Sequence, residues 1–245
     1  MNDTGSHLLE GHVALVIGIA NEHSIACGCA RAFRNMGAEL AITYLNDKAR
    51  HFVEPIARQV EATVFMPLDV RKPGELEAVF DRIRSEHGRL DIALHSIAFA
   101  PKEDLQGGLL GCSSEGFARL AVNLMTDGGT LFAMSYYGAD KVVPNYGVMG
   151  PVKAALESAV RYLAYELGPR GIRVHAISPG PIETRAASGL KDFDLLVNEA
   201  IERSPVHEPV NIDDIGAVTA FLATPYARRL TGTTTYVDAG RNIVA

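Results

Sequence analysis

The chain has 245 residues, 47% hydrophobic and 21% charged, with a formal net charge of −6. That fits one α/β domain with a full core and excludes a basic footprint for nucleic acid. No apolar run is long enough to span a bilayer and no signal peptide precedes the first strand, so neither a membrane nor a nucleic-acid partner is expected.

The first eight residues are polar and read as a loose tail before a single domain over 9–245. Residues 13–17 are a short apolar run, the mark of a fully buried strand. A loop follows, then an amphipathic helix over 25–36 with Ser24 placed as N-cap and Gly37 as C-cap. Residues 40–44 read as a second strand. Residues 47–60 read as a helix with Pro55 inside it, so a kink or a break is expected there. A third strand over 63–68 leads to Asp69. Pro73 suits the first turn of a helix that runs to His87, with Gly88 after it. Strands are expected at 90–97 and 130–134, and a long helix from Asn145 or Tyr146 to Leu167. A sixth strand at 173–177, a helix at 212–223 and a last strand at 234–237 complete the pattern.

This alternation predicts a Rossmann-type, doubly wound parallel sheet with helices on both faces and right-handed crossovers. Its ligand crevice would lie at the carboxyl ends of the strands, where Gly18, Asp69, Ser96 and the Tyr136 region all fall. One link is short. Between the fourth and fifth strands, only residues 113–125 remain for a helix after the loop at 98–112, and a parallel crossover needs a dozen or more residues. The expectation is that residues are missing between Phe117 and Met125, just after Leu120; a real deletion is the alternative.

Three cysteines, Cys27, Cys29 and Cys112, have no zinc spacing, so no metal is expected. They read as buried thiols of a reducing compartment, the cytoplasm.

The chemistry gathers at the predicted strand ends. In the loop from Gly18, a glycine allows the tight turn, and the helix opened by Ser24 and Ile25 offers N–H groups and a positive dipole to a pyrophosphate. The G-x-G-x-x-G spacing is absent: Ala20 and His23 stand where its later glycines would be. Asp69 could accept a hydrogen bond from an adenine amino group with Val70 against the ring, or cap a helix. Small residues around Ser96, Ile97 and Ala98 let a ribose or nicotinamide approach, while His95 reads as a hydrogen-bonded structural histidine. Pro181 and Ile182 can wrap a nicotinamide amide and Thr184 can reach a phosphate. Tyr146 and Lys153 are seven residues apart. On one helix they return to roughly the same face, a proton-donating pair beside a cofactor. The alternative is packing tyrosines and a solvated lysine. Tyr137 and Lys141 have the Tyr-x3-Lys spacing too, but Gly138 and Pro144 make a helix there improbable.

Taken together, Gly18-x5-Ser24-Ile25-Ala26, Tyr44-Leu45-Asn46-Asp47, Asp69-Val70, His95-Ser96-Ile97, Tyr136-x9-Tyr146-x6-Lys153 and Gly180-Pro181-Ile182-x-Thr184 resemble one family in order, over most of the chain. It is that of the NADH-dependent enoyl-[acyl-carrier-protein] reductases of the short-chain dehydrogenase/reductase superfamily. Ordinary carbonyl reductases of the superfamily use Tyr-x3-Lys with an upstream serine; here those two slots hold Met149 and Tyr136. The resemblance implies NADH rather than NADPH, an enoyl thioester on acyl carrier protein as substrate, and a homotetramer. It implies Tyr146 as hydrogen-bond donor to an enolate, Lys153 on the nicotinamide ribose, Tyr136 lining the acyl pocket, and a mobile lid over 186–206. Leu45 ends the second strand, where an acid would bind a ribose hydroxyl or an arginine a phosphate, and does neither. The other readings are a superfamily enzyme acting on a different enone or carbonyl, and a non-catalytic nucleotide-binding protein.

Overall fold

Five consecutive apolar residues, Val13–Ile17, form β1 at the middle of a seven-stranded parallel sheet ordered β3-β2-β1-β4-β5-β6-β7. The computed structural model describes residues 7–97, 114–144, 146–182 and 193–244. The other strands are β2 (Glu39–Tyr44), β3 (Val64–Pro67), β4 (Ile92–His95), β5 (Gly129–Met134), β6 (Ile172–Pro179) and β7 (Thr233–Val237). Alternation along β1 sends Ala14 and Val16 into one core layer and Val13, Leu15 and Ile17 into the other. Both faces are covered, so the strand needs no polar side.

Helices α1 (Ile25–Asn35), α2 (Asp47–Gln59) and α7 (Ile212–Ala223) bury their apolar stripes on the first face. Helices α3 (Glu75–His87), α4 (Ser114–Leu124) and α5 (Met149–Leu167) do so on the second. Helix α6 (Phe193–Arg203) packs beside the closing 3-10 turn Arg241–Ile243. No helix among the described residues is long and apolar enough to cross a membrane.

The expected right-handed winding holds for every crossover but the last. The connection from β1 to β2 moves one way along the sheet over the α1 face, and the connection from β5 to β6 moves the other way over the α5 face; both are right-handed. The connection from β6 to β7 moves the same way as the latter, but its helix α7 lies on the α1 face. It is therefore left-handed, against the strong general preference. What holds α7 there is its crossing with α1. A Cβ at Gly28 would stand 2.1 Å from the Ile212 carbonyl oxygen, and one at Gly216 would stand 2.4 Å from that of Gly28. Only glycine permits backbones this close.

Several local expectations are corrected. Helix α2 passes through Pro55 without a break. Helix α3 starts at Glu75, after Gly74 in a left-handed conformation, so Pro73 precedes it. Helix α4 is one uninterrupted element over its 11 residues. The Met125 N–H donates to Ala121 O at 3.2 Å and the Leu90 N–H to Leu124 O at 3.1 Å, tying the short helix to the start of β4.

Candidate active site

The carboxyl ends of β1 and β4 touch. Gly18 has φ +104, and a Cβ there would lie 2.2 Å from the Ser96 carbonyl oxygen. The Ser96 N–H donates to Ile17 O at 3.0 Å. Ser24 occupies the N-cap position of α1 with extended backbone, but its side chain caps nothing. Its Oγ instead accepts from the Ala20 and Asn21 N–H groups, each at 3.0 Å, and so shapes the loop from Gly18. The amides of Ile25 and Ala26 are left without a protein acceptor among the described residues. This corrects the capping role expected of Ser24, and it keeps the positive end of α1 available to an anion.

His95, the last residue of β4, packs edge-on against Phe117 with ring centres 5.2 Å apart. Burial, and secondarily the Lys153 charge, pull its pKa down to about 4, so the ring is neutral.

Three tyrosines stack after β5. Tyr136 meets Tyr137 edge-on at 4.7 Å and tilts against Tyr146 at 4.9 Å. The Tyr136 hydroxyl is buried and makes no hydrogen bond among the described residues. Burial first, then the neighbouring phenols, push its pKa up, against a smaller opposing pull from Arg241. Burial also raises that of Tyr146, so both stay protonated donors at neutral pH. Lys153 donates from Nζ to the Met134 carbonyl at 2.6 Å, at the end of β5. One turn further along α5, Glu157 accepts a 2.5 Å hydrogen bond from Ser135 Oγ.

The helix expected from Asn145 or Tyr146 begins later, at Met149. Tyr146 lies in a preceding turn, its carbonyl accepting from the Met149 N–H at 3.2 Å, with Gly147 at φ +54. Tyr146 and Lys153 therefore do not share a helix face by the phase argument. The turn sets Tyr146 against Tyr136, and α5 carries Lys153 to the end of β5.

At the far end, the Arg71 guanidinium grips Asp69 through both oxygens, at 2.8 and 2.7 Å, and holds its carboxyl down at about 2. Asp69 thus caps no helix. Val70, the next residue, and Leu45, just after β2, are both exposed. After β6, the Gly180 N–H donates to Val237 O at 2.8 Å, which fixes the start of the segment carrying half-buried Pro181 and Ile182. Ala98 and Thr184 lie outside the described residues, as do Cys112 and part of the expected lid; residues 193–203 of that lid are helix α6.

A family model described as "Enoyl-(Acyl carrier protein) reductase" matches residues 18–242. The chain is 39% identical to an NADH enoyl-[acyl-carrier-protein] reductase of Rhizobium meliloti, over 97% of this chain and 94% of the relative.

The chain belongs to the enoyl-(acyl carrier protein) reductase family.

Solved structures of the family agree in shape. The reductase of Aquifex aeolicus is 41% identical with a TM-score of 0.88, covering 97% of this chain and 99% of that one. The reductase of Anaplasma phagocytophilum in complex with NAD is 38% identical with a TM-score of 0.89, covering 98% and 97%. The alignment with the Rhizobium reductase runs over 252 positions, more than the 245 residues of this chain, so the relative carries residues that this member lacks. Sequence reasoning overlooked Ser135, Glu157 and Arg241. The first two are joined by a contact between β5 and α5, and Arg241 lies over the Tyr137 ring, 5.7 Å from its centre. No local spacing signals either contact.

Proposed function

We propose that the protein is an NADH-dependent enoyl-[acyl-carrier-protein] reductase of type II fatty-acid synthesis, reducing a trans-2-enoyl thioester. The reading is supported by the stack of Tyr146 on Tyr136 and by the reach of Lys153 to Met134 O, both just beyond the carboxyl end of β5, in a chain of this family. The unpartnered N–H groups at the start of α1 fit a pyrophosphate, and the rim from Gly18 to Ser96 fits a ribose and nicotinamide.

When bound, NADH supplies the hydride that reaches the substrate's β-carbon. Negative charge then collects on the thioester oxygen. Tyr146 donates a hydrogen bond to that oxygen, and its raised pKa keeps the proton in place for the task. Tyr136, with a buried unpartnered hydroxyl, lines the acyl pocket and offers a second donor. Lys153 is fixed by Met134 O and holds the ribose while keeping the local field positive. Asp69 and Val70 take the adenine; Gly18, Ser24 and Ile25 the pyrophosphate; Leu45, Ser96, Ile97, Ala98, Pro181, Ile182 and Thr184 complete the cofactor wall. The reading extends to a cytoplasmic homotetramer, with residues 186–206 closing over the acyl chain.

The test is crotonyl-thioester turnover with NADH and NADPH side by side, on wild type and Tyr146→Phe. Turnover with NADH is expected, falling about 10²–10³-fold in the variant, the usual loss for a single oxyanion donor. Unchanged turnover in Tyr146→Phe would remove Tyr146 from the mechanism. The short crossover at α4 favours one second reading, a nucleotide-binding protein without activity, which predicts NADH binding but no turnover at all.

A further inference from the structure

Arg241 is only 9% exposed. Its guanidinium lies 5.7 Å from the centre of the Tyr137 ring and donates to Val244 O at 2.9 Å. No carboxylate among the described residues forms an ion pair with it. A buried charge is ordinarily paired, because its desolvation is otherwise uncompensated. The guanidinium borders a cavity of about 290 Å³ between the loop after β5, helix α6 and the closing turn. Lys141 and Arg203 line the same cavity. Glu199 is the one acidic residue among the described lining, and Arg203 already holds it at 3.3 Å. Lys141 is turned towards the same closing turn, at 2.5 Å from Asn242 O. Pro144, two residues before Tyr146, forms part of the wall.

Three cations from three separate elements thus surround a space next to the tyrosine loop, with their positive charge in excess. A carboxylate could satisfy one fork. A tetrahedral phosphate ester, whose oxygens are not confined to one plane, can accept from guanidinium and ammonium donors on several sides at once. We propose that this cavity is an anion subsite that takes the phosphate ester of the substrate's thioester arm. Identifying the arm rests on the reductase reading above; the anion chemistry of the cavity does not.

The experiment uses the whole chain. Turnover is compared for crotonyl-4′-phosphopantetheine and crotonyl-pantetheine, which differ only in the phosphate, on wild type, Arg241→Met and Arg203→Gln. Thermal stability is measured in parallel with and without inorganic phosphate. Wild type is expected to favour the phosphorylated thioester about tenfold in kcat/KM, through KM, the scale of one charge-assisted hydrogen bond. Both variants should bring that ratio near one and lose the stabilisation by phosphate. If the ratio is one in wild type, but phosphate still stabilises wild type and neither variant, the cavity serves free phosphate and its assignment to the arm is overturned. If phosphate binds wild type and variants alike and the ratio does not move, the subsite itself is overturned. Should Arg241→Met fail to fold, the half-exposed Arg203→Gln decides. Absence of turnover with both thioesters defeats the reductase reading and leaves phosphate stabilisation to judge the cavity.

Discussion

At the scale of single residues, the site depends on groups that hold the reacting ones. Ser135 immediately precedes Tyr136, and its hydroxyl gives Glu157 a 2.5 Å hydrogen bond. That contact pins the end of β5 to the helix that carries Lys153. Ser135→Ala leaves the carboxylate of Glu157 without this donor. The expected loss is about 1.5–3 kcal/mol, the range for hydrogen bonds to charged groups, read as a lower midpoint in denaturant unfolding with an unchanged slope. Gly18→Ala is expected to be more damaging to NADH binding than to folding. Its Cβ would meet the Ser96 carbonyl and push apart the two loops on which the cofactor would rest. A dissociation constant for NADH equal to that of wild type would count against the placing of that loop. The sequence pattern singled out Tyr136, Tyr146 and Lys153 by their spacing, but the helix-face reason attached to the last two does not hold. Tyr146 stands in a turn before α5, and what fixes it is the stack with Tyr136. Arg241 could not be read because its contact with Tyr137 spans about a hundred residues and leaves no periodic trace.

At the scale of elements, the inner strands were the most legible part, because a strand buried on both faces, as β1 is, must be a near-continuous apolar run; the edge strands β3 and β7 are only partly buried. Helix α7 was legible as a helix, yet not the face it would occupy. Hydrophobic pattern says that a stripe is buried; it does not say against which layer. That choice falls to the α1 crossing, where Gly28 and Gly216 bring two backbones into contact. The same crossing sets the axis of α1, whose N-terminus is proposed to hold the pyrophosphate. In an ordinary exposed helix, Gly→Ala stabilises by up to about 1 kcal/mol. Gly216→Ala is expected to do the reverse here and to destabilise by about 1–3 kcal/mol, the usual cost of overpacking. A midpoint equal to or above that of wild type would mean that the helices move apart without cost, and that the crossing does not hold α7 on its face.

At the scale of the whole molecule, acid stability follows from two histidines, His95 on β4 and His175 on β6, which lie either side of β5 and pack into opposite layers of the core. His175 is fully buried, stacks on Phe132 at 5.7 Å, and has Nε2 without a partner among the described residues. Burial, with a further contribution from the Arg173 charge, lowers its pKa to about 4, and burial does the same for His95. In the unfolded chain both return to their ordinary value of 6.5. Between those values the unfolded state binds protons that the folded state refuses, so stability rises with pH. It is complete above about pH 7 and is lost as pH falls through 6.5 towards 4, by up to about 1.4 kcal/mol per pH unit for each histidine. Asp69 acts later. Its carboxyl is held at about 2 against an ordinary 3.8, so its smaller contribution, on a pair open to solvent through Arg71, is lost only as pH falls below 3.8. Denaturant unfolding at pH 8, 7, 6 and 5 should give a flat upper limb and a fall below pH 6.5. His175→Gln, which cannot take up the proton, should remove about half of that slope. An acid limb of unchanged steepness in this variant would show that His175 titrates alike in both states, and would refute its place as an acid-sensitive element of the core.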